Sequence, residues 1–185
     1  MEQQQRATQE DSVWFALSAP YRSEMKAKTL LEKNDIQCFI PMQYKLVENR
    51  SGKKQKKLLP IISNLVFAKT YKQKLQEVKN GVPYLQYRTV TEENKNIPII
   101  VPEDQMNNFM AVCNTYSEEL IYLFPDEVNL KKGTKVRIIG GCFDGVEGIF
   151  IKVKGTRKKR VVVLIQGVAA VATTEISDDL IEVLK

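Results

Sequence analysis

Apolar runs broken by polar turns divide the first part of the chain into short strands and helices. Residues 13–19 (VWFALSA) are apolar and aromatic, which predicts a buried strand. Ser23 is a candidate N-cap for the helix that follows. One side of this helix is mainly apolar and consists of Met25, Ala27, Leu30, Leu31 and Asn34. We expect the helix to pack through that side.

The next segments predict two strands joined by a polar hairpin. Residues 36–47 are typical of a single strand, and residues 58–70 of the returning strand, with a break near Pro60. Residues 48–57 are polar and basic, which predicts a long hairpin tip around Gly52.

Helical spacing then returns. Tyr71, Leu75 and Val78 are spaced i, i+4, i+7, which predicts a short helix that ends at Gly81. Residues 84–89 are typical of a strand.

A short apolar run and one more helix complete this region. Residues 97–101 predict an edge strand, because Pro98 has no backbone N–H to donate. Pro102 suits the first position of a helix. The apolar stripe of that helix is Met106, Phe109, Met110 and Cys113. Residues 11–114 therefore predict the order β-α-β-β-α-β-β-α, an α+β fold with helices layered on a sheet.

The remainder of the chain lacks helical periodicity. Residues 115–128 carry no clear period and are interpreted as a linker whose end is a candidate extra strand. Residues 129–185 alternate short strands with turns, which predicts a small barrel. Within it, residues 161–165 are expected to pair with residues 168–174.

Glycines cluster in residues 132–151 (KGTKVRIIGGCFDGVEGIFI). A glycine turn separates two apolar strands, and Phe143 stands between the glycines. Glycine adopts positive φ at low cost and lets neighbouring backbones approach closely. One aromatic side chain fills the centre of a small core, so the pattern predicts a sharply bent antiparallel unit.

Charge is unevenly distributed along the 185 residues, whose formal net charge is +6. Residues 1–115 carry 17 basic and 12 acidic residues, and residues 116–185 carry 11 and 10. A basic excess in the first part is expected of a protein that meets a polyanion. An ordinary lysine-rich, solvated surface is an equal alternative.

Composition excludes several classes of site. The chain has no histidine, which rules out Ser/His and Cys/His catalysis and the H-E-x-x-H zinc site. No phosphate-binding glycine loop follows a strand, and we expect neither an enzyme nor a bound cofactor or metal. Cys38, Cys113 and Cys142 are interpreted as buried small hydrophobes, which indicates a reducing, cytoplasmic setting. Residues 1–10 are expected to form a disordered tail, and no apolar run approaches the ~18 residues of a membrane span.

The glycine-rich segment resembles the KOW motif of NusG-type transcription factors. The matching positions are Gly133, Val136, Arg137, Ile138, Gly141, Phe143, Gly145 and Gly148. The stretch WFALSAPYRSE resembles the opening of the NusG N-terminal (NGN) domain, and LLPIISNLVFA occupies the place of an aromatic, proline-containing block. The resemblance implies an NGN-type α/β sandwich at residues 11–114, a linker at 115–128 and an SH3-like KOW β-barrel at 129–185.

The resemblance implies transcription elongation control without catalysis. In the family, the N-terminal domain binds the clamp helices of the RNA polymerase β′ subunit through an apolar concavity. The matching positions are Ser18, Ile62, Leu65 and Phe67. Ile62, Ser63 and Leu65 depart from the family's aromatic, proline and tyrosine, so fewer aromatic anchors are present. Alternation places residues 65 and 67 on one strand face and 66 and 68 on the other, with one pair in the core. The alternative is that Leu65 and Phe67 are ordinary core residues.

Basic clusters are candidates for upstream or non-template DNA. Lysines add salt-dependent affinity without reading sequence, whereas Tyr21 and Arg22 suit stacking on unpaired bases and hydrogen bonding to them. The candidate residues are Tyr21, Arg22 and Lys26 near the first helix and Lys53, Lys54, Lys56 and Lys57 on the hairpin tip. A third cluster, in residues 152–160, is a candidate for RNA or a ribosomal protein. In the family this barrel binds Rho or a small-subunit ribosomal protein.

The resemblance favours a specialised antiterminator over the housekeeping factor. QCFIPMQYKL is similar to the paralogue RfaH, and Glu24 with its lysine-rich helix is similar to the UpxY antiterminators of capsular polysaccharide operons. We expect a monomer that promotes processive elongation of a specific long operon. The alternatives are housekeeping NusG and a KOW-type RNA- or ribosome-binding protein that does not act on polymerase.

Overall fold

The computed structural model describes residues 12–124 and 133–184. The predicted tail at 1–10 and the end of the predicted linker, 125–128, lie outside the described residues. The chain divides into two compact units, Met1–Ile40 with Asn64–Pro102, and Pro41–Ser63 with Glu103–Lys185. The predicted domain boundaries stay a prediction.

The described residues contain helices and strands in both units, a mixed α/β fold. In chain order the elements are β1 Val13–Ser18, α1 Glu24–Lys33, β2 Gln37–Phe39, β3 Met42–Glu48, β4 Lys54–Pro60, β5 Val66–Thr70, α2 Lys72–Lys79, β6 Gln86–Tyr87, β7 Thr89–Glu92, β8 Lys95–Pro98, β9 Ile100–Val101, α3 Glu103–Cys113, β10 Ile121–Leu123, β11 Thr134–Ile138, β12 Glu147–Ile151, β13 Arg160–Ile165, β14 Ala169–Glu175 and β15 Ile181–Val183. No helix within these described elements is both long and apolar enough to cross a membrane.

The first unit is built on an antiparallel sheet of order β2-β5-β1-β6, in which β9 also pairs with β1. Strand β1 lies at its centre, and residues 14–17 are buried on both faces of the strand. The predicted buried strand at residues 13–19 is confirmed.

Helix α1 packs through only part of the predicted side. Ala27 and Leu31 are buried, but Met25 is 45% exposed and the carboxylate residue Glu24 is buried in its place. Ser23 occupies the N-cap position without a capping hydrogen bond from its side chain. Its backbone has ψ near 10°, whereas a capping residue needs an extended backbone to reach the free N–H groups of the first turn.

The single strand predicted at residues 36–47 is two strands, β2 and β3. They separate at Ile40 and Pro41 because β2 pairs with β5 while β3 pairs with β4. The predicted hairpin tip is also shorter than expected. Residues 49–53 form the turn, and residues 54–57 lie within β4.

A hairpin of β7 and β8 follows in the first unit and was not predicted. Its turn consists of Glu93 and Asn94, with φ of 48° and 62°. Two successive residues with positive φ form the type I′ turn whose twist matches that of the strands it joins. Glutamate rarely adopts this conformation, so the sequence carried little indication of the turn.

The second unit contains the β3–β4 hairpin, helix α3 and a six-stranded antiparallel sheet of order β10-β14-β13-β12-β11-β15. Helix α3 packs on β13 and β14 through Met106, Phe109, Val112 and Cys113. Met110 of the predicted stripe is only half-buried. The predicted pairing of residues 161–165 with 168–174 is confirmed by the register of β13 and β14.

Strand β10 lies inside the segment predicted to be a linker. It pairs with β14 through Ile121, Tyr122 and Leu123, and Leu120, just before it, is buried. The extra strand thus lies in the middle of the predicted linker, whereas its predicted position at the end of the linker lies outside the described residues.

Candidate functional site

Tyr21 and Arg22 form an exposed, strained turn immediately before helix α1. Both have positive φ, 60° and 58°, and the Tyr21 side chain is 94% exposed. Bulky side chains rarely occupy this region of backbone space, and such residues persist where the surroundings hold them. The N–H of Ser23 closes the turn by donating to the Pro20 carbonyl at 3.2 Å. The turn presents an aromatic ring and a guanidinium next to each other in chain order.

Lys26 lies one turn further along α1 and is paired with an aromatic ring. Its Nζ stands 4.1 Å from the centroid of the Tyr84 ring, a cation–π contact. The sequence did not predict a role for Tyr84, because no repeating pattern includes this single tyrosine or pairs it with Lys26. The two residues add a basic and aromatic surface to the first unit, the combination that single-stranded nucleic acid requires.

The four predicted hairpin lysines do not share one location. Lys53 lies in the turn, whereas Lys54, Lys56 and Lys57 lie in β4. Lys56 forms an ion pair of 2.5 Å with Glu118 and lies over the Tyr44 ring at 5.2 Å. Lys57 stands opposite Lys45 on β3. The prediction that all four lie on the hairpin tip is therefore wrong for three of them.

The predicted polymerase-binding residues are more deeply buried than expected. Leu65 and Phe67 have no exposed surface, and Ile62 is 9% exposed. Val66 and Ala68 are buried as well, so the expectation that only one alternating pair is core is wrong. Ser18, opposite Gln86 at the end of β1, is half-buried. Whether these residues bind polymerase stays a prediction, and a charge introduced at residue 65 or 67 would disrupt the core.

Glu24 and Arg88 hold the backbone that leads into β5. Glu24 Oε1 accepts a hydrogen bond of 2.8 Å from the N–H of Asn64, and Arg88 Nη2 donates to the Asn64 carbonyl at 3.1 Å. Asn64 itself has a φ of 61°. Burial lowers the pKa of Arg88. The buried carboxylate and the guanidinium together fix the residue that precedes Leu65.

The KOW-like residues lie in the second unit and divide into core and turn positions. Val136, Ile138 and Phe143 are buried. Gly141 and Gly145 have φ of 73° and 79°, which glycine adopts without strain.

Gly148 and Arg137 have roles that the motif alone did not specify. A Cβ at Gly148 would lie 2.6 Å from the carbonyl oxygen of Val162, so only glycine allows β12 and β13 to approach this closely. Arg137 binds Glu147 at 2.6 Å and Glu182 at 3.4 Å, which links β11 to both of its neighbours. Hydrogen bonding to Glu147 raises the pKa of Arg137. That this unit is a KOW domain stays a prediction.

The cysteines are free thiols in three different environments. Cys113 is buried, and burial raises the pKa of its thiol to about 12. Cys38 is half-buried and its pKa is raised by burial. Cys142 is exposed, which contradicts the expected burial, because it lies in a short 3₁₀ turn whose Phe143 occupies the core instead. Among residues 12–124 and 133–184, no group of acidic residues and cysteines is arranged to hold a metal ion.

The basic cluster in residues 152–160 borders an open cleft of about 740 Å³. Lys158 pairs with Glu175 at 3.5 Å, and Lys159 lies over the Phe150 ring at 5.2 Å. Asp178 and Asp179 line the same cleft, so basic and acidic groups face one another there. The cleft is less suited to a polyanion than the sequence cluster indicated.

Comparison with known proteins identifies one family. The profile of the family described as transcription termination factor NusG matches residues 12–110. A solved structure of Thermotoga maritima NusG that concerns a domain interaction resembles the chain with 18% sequence identity and a TM-score of 0.44, over 95% of this chain and 98% of that one. No curated protein sequence matches the chain.

Proposed function

The chain belongs to the NusG family of transcription factors, whose profile matches more than half of its residues, and from that premise we propose that it is an antitermination factor for transcription elongation. It binds the β′ clamp helices of RNA polymerase, contacts nucleic acid beside them and keeps the polymerase processive. The family match over residues 12–110 carries this proposal. Family members are transcription factors, which agrees with a chain that performs no catalysis.

The exposed turn at Tyr21 and Arg22 supports a contact to unpaired bases of the non-template strand. An aromatic ring offers a stacking surface to any base, and a guanidinium stacks or donates two parallel hydrogen bonds. The strain of two consecutive positive φ angles at exposed residues is typical of functional positions. Lys26 and Tyr84 supply further basic and aromatic surface in the same unit.

A specialised factor for one long operon, such as a capsular polysaccharide operon, is the preferred form of this function. The departures at Ile62, Ser63 and Leu65 from the family's aromatic and proline positions support it, because a housekeeping factor has no evident reason to lose these anchors. Housekeeping NusG is the alternative, and the genes beside this one decide between them. A neighbouring polysaccharide cluster supports the specialised factor, and its absence supports the general one.

Single-round transcription with the cognate polymerase tests the function. The full chain should reduce pausing or release at terminators, and Tyr21→Ala with Arg22→Ala should weaken that effect while Tyr71→Ala, at another exposed tyrosine, should not. An unchanged elongation pattern with the full chain contradicts the proposal. Activity of residues 129–185 alone would mean that the effect on elongation belongs to the predicted barrel and not to residues 11–114.

Co-purification tests the polymerase contact without disturbing the core. Ser18→Arg places a large charge at a half-buried strand end, and Ser12→Arg is the matched control just before the same strand. Loss of β′ from the Ser18→Arg sample alone, with an unchanged circular dichroism spectrum, supports the contact. Recovery of ribosomes without polymerase by the wild-type chain would instead indicate the RNA- or ribosome-binding alternative.

A further inference from the structure

The β3–β4 hairpin separates its side chains into two faces of different charge. The strands pair over seven positions, from Met42–Pro60 to Glu48–Lys54, and the Asn49 N–H donates to the Lys53 carbonyl to continue the ladder. Side chains of successive strand residues point to opposite faces, and directly opposed residues share a face. Odd-numbered residues therefore occupy one face of this hairpin and even-numbered residues the other.

On the even-numbered face, each of the two lysines lies near or opposite an acidic residue, and Lys56 forms an ion pair. Lys56 forms its ion pair with Glu118 and lies over Tyr44. Lys54 stands opposite Glu48 in the register. Tyr44 in turn packs edge-on against Tyr116 with ring centroids 6.3 Å apart. On this face Lys56 and Tyr44 contact other residues of the protein, whereas Leu46 is 73% exposed.

The odd-numbered face carries Lys45, Lys53 and Lys57, which we call the lysine face. Lys45 and Lys57 are directly opposed, and all three lysines are exposed. Like charges directly opposite each other on a strand pair are destabilising. Among the described residues, none of the three has an ion pair with an acidic side chain. The fold itself therefore gives no compensation for this repulsion, whereas an anion bound across the pair does.

We infer that the lysine face binds the phosphate backbone of double-stranded DNA. This inference rests on the proposed function, in which the chain contacts nucleic acid beside the polymerase. The face has no aromatic residue, and single strands are held largely by stacking on aromatic rings. Lys53, in the turn just before β4, is four residues from Lys57, which corresponds to roughly 13 Å of extended chain. The major groove is about 12 Å wide and admits a two-stranded ribbon, so the lysines reach phosphates on both of its sides.

Neighbouring lysines of β4 provide a matched test. Binding of the full chain to a mixed-sequence duplex of about 30 base pairs is measured by fluorescence anisotropy between 50 and 200 mM salt. Lys57→Gln and Lys45→Gln should each reduce the slope of log K against log salt by about 0.9, and should weaken binding roughly 8-fold at 0.1 M salt, since each removes one phosphate contact. Lys56→Gln removes the same charge one residue away on the other face and should change affinity less than about 2-fold.

Other outcomes overturn the inference. Equal effects of Lys56→Gln and Lys57→Gln would mean that net charge alone governs binding. No effect of Lys45→Gln or Lys57→Gln would mean that this face does not meet DNA. An equal loss of affinity for a poly-dT single strand would mean that the face does not distinguish duplex from single-stranded DNA, which contradicts the duplex assignment.

Failure of the inference and of the proposed function are distinguishable. The Lys45→Gln, Lys57→Gln double variant should still co-purify with polymerase, because both residues are surface lysines of the hairpin. A second result is that the wild-type chain fails to co-purify with polymerase while Lys57→Gln still weakens duplex binding and Lys56→Gln does not. In that case the proposed function is wrong, but the DNA-binding role of the lysine face is supported.

Discussion

Asn108 on helix α3 accepts a 2.9 Å hydrogen bond through Oδ1 from the backbone N–H of Glu147 on β12. Its Nδ2 donates to the Asp104 carbonyl one turn earlier at 3.0 Å, which orients the amide. A side chain of the helix therefore satisfies a backbone donor of the sheet on which that helix packs. Glu147 is also the residue that binds Arg137.

Asn108→Ala should loosen this contact. A lost hydrogen bond of this kind contributes about 0.5–1.5 kcal/mol, which corresponds to roughly 2- to 10-fold faster amide exchange at Glu147. Asn108→Asp keeps an acceptor and should restore part of the protection. Asn107→Ala, on the exposed side of the same helix, should leave the exchange rate unchanged, and equal acceleration by both alanine variants would contradict the role of this bond.

Glu24→Ala should destabilise the first unit, because the part-buried N–H of Asn64 loses its acceptor. An unsatisfied buried donor costs about 1–3 kcal/mol, measurable as a lower urea midpoint. Glu32→Ala is the control on the same helix, since its pair with Lys28 at 3.7 Å is exposed and exposed i, i+4 pairs contribute only about 0.3–0.5 kcal/mol. Similar midpoints for the two variants would show that the Glu24 carboxylate does not hold the start of β5.

Arg22→Gly should change stability and binding in opposite directions. Glycine adopts the φ of 58° found at this position without strain, and relief of a left-handed residue contributes about 1–2 kcal/mol to the free energy of unfolding. The same change removes the guanidinium and should weaken binding to single-stranded DNA. Arg50→Gly, in the hairpin turn at negative φ, should give no gain in stability. A loss of stability in Arg22→Gly would indicate that Arg22 is retained for the fold.

The stability of the fold should fall at alkaline pH through Cys113. Burial raises the pKa of this thiol from 9.0 to about 12, so the folded chain keeps the proton after the unfolded chain has lost it. The contribution of the protonated Cys113 thiol to the free energy of unfolding is complete below pH 9. It is lost between pH 9 and 12, by about 1.4 kcal/mol per pH unit. Urea midpoints between pH 8 and 11 should therefore fall less steeply for Cys113→Ala than for the wild type.

Cys142→Ala is the control for this pH dependence, because Cys142 is exposed. Its midpoints should follow the wild-type curve. Identical slopes for Cys113→Ala and wild type would mean that the thiol does not titrate differently in the folded and unfolded chains. Tyr122, whose pKa is also raised by burial and by Cys113, contributes to both curves.

Sequence patterns were sufficient to predict an element when the period of its own residues marks it. The continuous apolar run of β1 and the i, i+4, i+7 spacing of α2 predicted these elements because each follows from the period of its own residues. The β13–β14 hairpin was predictable for the same reason, since a short turn fixes which residues pair. The absence of histidine and the excess of basic residues were also determined from the sequence without a structure.

Tertiary structure decided which side chains remain available to a partner. Residues 65–68 are all buried because β5 is covered on both faces, whereas alternation alone allowed one exposed pair. The split of residues 36–47 into β2 and β3 follows from two different pairing partners. Lysines that form one basic run in sequence fall on opposite faces of β3 and β4, where Lys56 meets Glu118 and Lys57 meets Lys45. Composition determines the charge of such a run, but strand register and contacts between residues far apart in the chain determine which of those charges are free to bind.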